Sequence, residues 1–293
     1  MPEVESDRFA IPSMPSPVGF PLVDANAGVG HWPFRRLSRT NPASLLGHLR
    51  RLGVQRVVLS SNAAAWYRDP SEADAELLRL RRERPDTVAA VATISPVLPE
   101  WGRDLERALG EGAAGVRLLP HYQGFELLSG PVLELVSALA DRRVPVVLPL
   151  RLEDERHQHP ACVVRPLTPE SILRWIERLP NRPPIVLGTG RFEEWKKVGA
   201  ALKPEDDVYL DLSFVNGPDG AIEELVSLVS AERLLFGTRA PFAYAYPKVE
   251  QLLSADISPE ERRAIGAGNA LRLFFRSHGE GIGLPPLNLP VEG

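Results

Sequence analysis

Residues 144–152, VPVVLPLRL, and residues 184–190, PIVLGTG, run apolar without a break until a polar residue arrives near the end. A strand with one face in water alternates apolar and polar side chains. These do not alternate, so both faces are expected to be covered, as in a sheet of parallel strands flanked by helices. The same reading extends along the chain. Phe20–Asn26, Gln55–Ser61, Val88–Pro96 and Gly115–Pro120 precede those two runs, and Val208–Val215 and Arg233–Pro241 follow them. That makes eight strands.

Amphipathic stretches separate the runs: Pro42–Leu52, Ser71–Arg84, Glu100–Gly110, Pro131–Asp141, Thr168–Leu179, Phe192–Leu202, Asp219–Leu228, Pro247–Leu253 and Ser258–Phe275. Thr168-Pro-Glu-Ser and Ser258-Pro-Glu-Glu place a hydroxyl cap, a proline at the first helical position and an acid in the first turn. Strand starts recur about every 24 to 40 residues, the period of an α/β fold of the (β/α)8 TIM-barrel type, which needs about 250 residues. An open doubly wound sheet is the competing topology. Its nucleotide-binding form wants a glycine-rich turn after an early strand, and Asn26-Ala-Gly-Val-Gly-His lacks the third glycine. The expected layout is an N-terminal tail over residues 1–17, the barrel over 18–278 and a Pro-rich C-terminal tail over 279–293.

Of 293 residues, 44% are hydrophobic and 25% charged, the composition of a globular chain with a sizeable core. The 29 prolines sit between periodic segments, where they punctuate turns. No apolar run reaches the roughly 18 to 20 residues of a membrane span. Met1–Pro17 lacks the basic start and apolar stretch of a signal peptide, so the cytoplasm is the expected compartment. A single cysteine, Cys162, excludes a disulfide framework and multi-cysteine metal sites, and a net charge of -4 argues against nucleic acid or an anionic membrane as partner. A homo-oligomer is compatible with the aromatic loop segments Ala63–Tyr67 and Pro241–Tyr246.

In such a barrel, function gathers where the strands end. Three segments there and beyond carry a resemblance: Asp24-Ala-Asn-Ala-Gly on strand one, Phe236-Gly-Thr-Arg-Ala-Pro on strand eight, and the closing Gly268-Asn-Ala-Leu-Arg-Leu-Phe. In that order they resemble the amidohydrolase-related group of the metal-dependent hydrolase superfamily, which includes decarboxylases of aromatic acids and lactone hydrolases. The resemblance implies a barrel with a divalent metal at its mouth. The ligand pattern departs from it. Where the group has Asp-x-His-x-His, this chain keeps Asp24 but has Asn26 and Gly28. Where it has His-x-Gly on strand six, the chain reads Gly188-Thr-Gly190, and the strand-eight aspartate is Arg239. Strand five, over Leu148–Leu152, has no histidine. Glycine has no donor and arginine is a fixed cation, so no metal and no other cofactor is expected here.

Four arginines fall at or just past strand ends: Arg117, Arg151, Arg191 and Arg239. Together with Asn26 they form a candidate site for a small carboxylate, since forked guanidinium groups bind such anions bidentately. The alternative is a web of ion pairs with Asp154, Glu155 or Asp211 that closes the barrel top; Asp24 would then pair with one of the arginines, possibly Arg239. Asp24 and His121 are the candidate proton carriers. His157 and His159, in the polar run Glu153–His159, form an alternative metal pair, and His31 and Cys162 read as structural. Two functions follow. One is a metal-independent hydrolase or lyase, decarboxylase- or lactonase-like, acting on a small carboxylated substrate. The other is a non-catalytic barrel that binds a small anion or serves as a partner subunit. A base within reach of a bound ligand separates them.

Overall fold

The computed structural model describes residues 19–275. The tails expected over residues 1–17 and 279–293 lie outside that range. Eight strands form one sheet: β1 (Leu22–Val29), β2 (Val54–Ser61), β3 (Val88–Thr93), β4 (Ala113–Arg117), β5 (Val146–Pro149), β6 (Ile185–Gly188), β7 (Val208–Asp211) and β8 (Leu234–Leu235). Each pairs in parallel with the next, with registers such as Gly28↔Ser60, Thr93↔Arg117 and Pro149↔Gly188. The chain at β8 then bonds back to β1. The Ala25 N–H donates to the Phe236 carbonyl (2.8 Å), the Arg239 N–H to Asn26 (2.7 Å) and the Gly28 N–H to Ala240 (2.8 Å). The sheet is therefore a (β/α)8 barrel and not an open one.

All eight expected strands are present, but the later ones stop early. The apolar pattern continues past them because Leu212, Phe214 and Val215 after β7, and Phe236 and Ala240 after β8, are buried in the loops of the mouth. Prolines start the helices. Pro42, Pro70, Pro169 and Pro259 each open a helix at a position where the missing N–H has no partner to lose. The residue ahead of each caps it: Asn41 accepts from the Ser44 N–H and Asp69 from the Ser71 N–H, both at 2.9 Å. Thr168 and Ser258 form full capping boxes with Ser171 and Glu261.

Alternation along the strands divides the core in two. Leu59, Val88, Leu148, Ile185, Leu187 and Leu210 belong to the layer between barrel and helices, with Leu45, Leu77, Leu105 and Trp175. Val23, Ala25, Val58, Val91, Val186 and Tyr209 fill the interior together with Leu271 and Phe274 of the last helix. That helix closes the barrel's lower end, where the strands begin. The sequence pattern predicts it unbroken over Ser258–Phe275. It forms instead as Pro259–Arg263, a π-helical turn Ala264–Gly268, and Asn269–Phe274. Gly266 explains the close seat: a Cβ there would lie 2.8 Å from the Phe20 ring. Asn269 then anchors the helix, its Nδ2 donating to the carbonyls of Ala231 and Leu234 at 2.8 Å each.

Candidate functional site

The upper end of the barrel is knit by two buried carboxylates. Asp24 accepts from the Thr238 hydroxyl (2.5 Å), the Thr238 N–H (2.9 Å) and the Asn26 N–H (3.0 Å), so it ties β1 to the turn after β8. Its partners among the described residues are these neutral groups, and not the arginine expected from the sequence. Burial pushes its carboxyl up to about 7, against the pull of those hydrogen bonds. Asp211 takes the Asn26 amide (2.6 Å), the Ser213 hydroxyl (2.6 Å) and the Thr189 N–H (3.1 Å) on one oxygen, and the Ser213 N–H (2.8 Å) on the other. Thr189 and Arg239 both have left-handed backbones, with φ of 54° and 55°, and each turns the chain sharply out of its strand.

The four arginines separate into two kinds. Arg151 makes a two-pronged pair with Glu194 (2.7 and 2.5 Å), reaches Glu155 at 3.1 Å and donates to the Thr189 carbonyl at 2.8 Å. Arg191 completes the web through Glu155 (2.6 Å). Burial alone would raise the Glu155 carboxyl, but the Arg191 hydrogen bond and the two guanidinium charges outweigh it and hold it low. Arg117 contacts neutral oxygens, namely the Thr93 hydroxyl (3.1 and 2.8 Å) and the Ser61 carbonyl. Arg239 is 9% exposed and lies flat over the Phe214 ring, 3.9 Å from its centre. Its Nε and Nη1 are buried without a hydrogen-bond partner. Burial lowers both Arg117 and Arg239 to about 10, far enough above neutrality to leave both charged.

These two arginines border a small cavity of about 40 Å³ that descends into the barrel. The space suits roughly three waters. Asn26, Ser60, Asn62 and Thr189 complete its polar lining, while Val58, Val91 and Val147 form the floor and Leu152 and Phe242 the roof. Phe242 is part of an aromatic cluster in which Trp32 meets Phe242 (4.8 Å) and Trp66 (5.1 Å) edge-on, and Trp66 meets Tyr122 at 5.4 Å. Among the described residues, no carboxylate, histidine, lysine, tyrosine or cysteine lines the cavity.

Of the residues singled out from the sequence, Asn26, Arg117 and Arg239 meet at this cavity. Asp24 is buried behind it, and Arg151 and Arg191 belong to the ion-pair web. His121 is exposed, its Nδ1 against the Arg165 carbonyl, and His157 and His159 are exposed as well. Two residues escaped the sequence reading as site members. Phe214, the ring beneath Arg239, carries no signal beyond its apolarity. Asn62 has one. Its amide fills the space that a side chain at position 28 would take, since a Cβ on Gly28 would lie 2.2 Å from Asn62 Oδ1. The amide Nδ2 of Asn62 is buried without a partner. A divalent metal fits this set poorly. Asp24 has both oxygens engaged, Asn26 donates its amide to Asp211, and the charged residues lining the cavity are the cations Arg117 and Arg239. Among the described residues no three His, Cys, Asp or Glu side chains gather in a way that would hold a metal ion, and no helix is long and apolar enough to cross a membrane.

A family model described as "Amidohydrolase" matches residues 34–276. Solved structures resemble the chain over most of its length. The 2,6-dihydroxybenzoate decarboxylase from Rhizobium shares 18% identity at a TM-score of 0.66, covering 87% of this chain and 98% of its own. A manganese-bound 5-carboxyvanillate decarboxylase from Novosphingobium aromaticivorans shares 16% at 0.66, covering 88% and 98%. A probable 2-pyrone-4,6-dicarboxylic acid hydrolase from Acinetobacter baumannii, with citric acid bound, shares 15% at 0.61, covering 86% and 98%. No curated protein matches the sequence.

Proposed function

The chain belongs to the amidohydrolase family, and from that premise we propose that it is a barrel that binds a small carboxylate at its mouth without a resident metal. The observation that carries the reading is Arg239, a buried guanidinium with two unpartnered N–H groups, standing where the family's metal-binding aspartate is expected. A buried unpaired charge is costly, and an anion relieves the cost by pairing with it. Arg117 and Asn62 add positive charge and a free amide donor, and Asp24 and Asp211 already have their own donors.

Binding, rather than acid–base turnover, is what the lining supports, because it offers donors and no group that exchanges a proton near neutral pH. A metal-independent hydrolase or lyase is the second reading. It draws on Asp24, whose carboxyl is pushed up to about 7 and so toward the useful range for proton transfer. The structural neighbours named as decarboxylases and a hydrolase keep that reading in play.

Calorimetric titration with sodium acetate tests the first reading. Acetate binds the wild type, and R239M weakens it at least about tenfold, the loss expected for a hydrogen bond to a charged group. Equal affinity in the two proteins would sink it. Chelator treatment leaves acetate binding and the melting temperature unchanged, whereas stoichiometric metal by elemental analysis contradicts the metal-free site. Release of carbon dioxide from 2,6-dihydroxybenzoate, lost in D24N, would favour the second reading.

A further inference from the structure

The cavity has a polar wall and an apolar floor, and that asymmetry says more than that an anion binds. Arg239 and Asn62 stand in the wall, and among the described residues Arg239 Nε and Nη1 and Asn62 Nδ2 are buried without partners. Asn62 is 3% exposed. It holds its place because residue 28 is glycine: the two occupy the same space, so the absence of a side chain at 28 sets the Asn62 amide against the cavity. Below lie Val58, Val91 and Val147, whose branched side chains belong to the interior cluster of the barrel and offer no hydrogen bond. The volume of about 40 Å³ is well short of the roughly 150 Å³ known to take a benzene ring.

We infer that the pocket is specific for short-chain aliphatic monocarboxylates, the carboxylate clamped between Arg239 and Asn62 and the alkyl tail resting on Val58, Val91 and Val147. The inference rests on the anion-binding reading above and narrows it. A carboxylate suits the clamp because its two oxygens accept from a guanidinium on one side and an amide on the other. Inorganic phosphate has no tail for the valines and would desolvate a further oxygen over them. An aromatic acid, such as the structural neighbours named for carboxylated benzoates handle, exceeds the space beneath Leu152 and Phe242. Asn62 thereby becomes a ligand-contacting residue and Gly28 the position that permits it.

Titration of the full chain with formate, acetate, propionate, benzoate and inorganic phosphate tests this. Affinity rises about fourfold from formate to acetate, whose methyl reaches the floor, acetate outcompetes propionate, benzoate and phosphate, and N62D weakens every carboxylate at least about tenfold by placing a charge against it. G28A displaces the amide and weakens carboxylates as N62A does, with the chain-length preference kept. V91F occupies the floor and levels the series while formate still binds; should it fail to fold, V147A enlarges the floor and moves the optimum to a longer acid. A flat series, benzoate binding as tightly as acetate, or N62D equal to wild type would overturn this inference while R239M still weakens formate binding. Formate binding that survives R239M would overturn the anion site itself.

Discussion

Arg151 and Arg239 are the same residue type, both buried at the mouth of the barrel, both within reach of the Phe214 ring at 5.4 and 3.9 Å, and they lead opposite lives. On the side formed by β5 and β6, Glu194 and Glu155 stand ready, and Arg151 has partners for its whole fork. Toward β8 the carboxylates are Asp24 and Asp211, and both are filled by hydroxyl, amide and backbone donors before Arg239 reaches them. Position after a strand does not decide what an arginine does. The supply of free carboxylate oxygens does. One side of the mouth is finished structure, and the other is a set of donors awaiting an acceptor.

Substitution can break or sharpen that contrast. The largest effect belongs to R151M, which takes the guanidinium fork from Glu194 and leaves Glu155 with Arg191 alone; it destabilises by about 3 kcal/mol in chemical denaturation. The next effect lies on the unfinished side. Asp74 is buried behind Arg117, accepts the Thr93 N–H at 2.5 Å on one oxygen, and has no partner for the other. Burial pushes its carboxyl from 3.8 up to about 7. Between those values the folded chain holds a proton that the unfolded chain has released. Stability therefore falls as pH rises through that window and levels off above it. In D74N that fall is reduced by up to about 1.4 kcal/mol per pH unit, read from denaturation at several pH values between about 4 and 7.

Smaller effects separate neighbouring glycines. A Cβ on Gly190 would sit 2.4 Å from the Trp195 ring, and that ring is pinned by its N–H to the Asp211 carbonyl at 2.8 Å. G190A costs about 1–3 kcal/mol as overpacking. A Cβ on Gly188 would meet nothing nearer than 3.5 Å, so G188A stays within about 0.5 kcal/mol of wild type in the same measurement. R239M is the sharpest test by sign. Without ligand it leaves stability unchanged or raises it by about 1 kcal/mol, since it removes an unpaired buried charge. A loss matching that of R151M would mean the two sides do not differ.

The barrel was legible because strands covered on both faces are written as unbroken apolar runs, and because helix starts here are spelled with a cap followed by proline. Strand ends after β7 and β8 were not legible, since Leu212, Phe214 and Phe236 are as apolar in loops as in strands. The left-handed turns at Thr189 and Arg239 leave no trace either, because neither residue type favours that conformation. Within the site, Asn26, Arg117 and Arg239 could be placed by strand position alone. Dividing the arginines required knowing where each glutamate points. Glu194 lies on the helix Phe192–Ala201, in a stretch that reads as ordinary helix surface. Asn62 was within reach of the sequence, through the glycine two strand residues beyond Asn26, but only if the pairing of β1 with β2 were already known.

The helix that closes the lower end of the barrel has a consequence for time as well as for stability. With Leu271 and Phe274 packed into the interior, the lower end is filled, and a molecule held above the valines would exchange with solvent through the mouth, beside Phe242 and Leu152. Occupancy and exchange then become separate quantities: the donors on the wall set how much is bound, and the motion of the aromatic roof sets how long it stays. Trimming Phe242 should shorten residence far more than it lowers affinity.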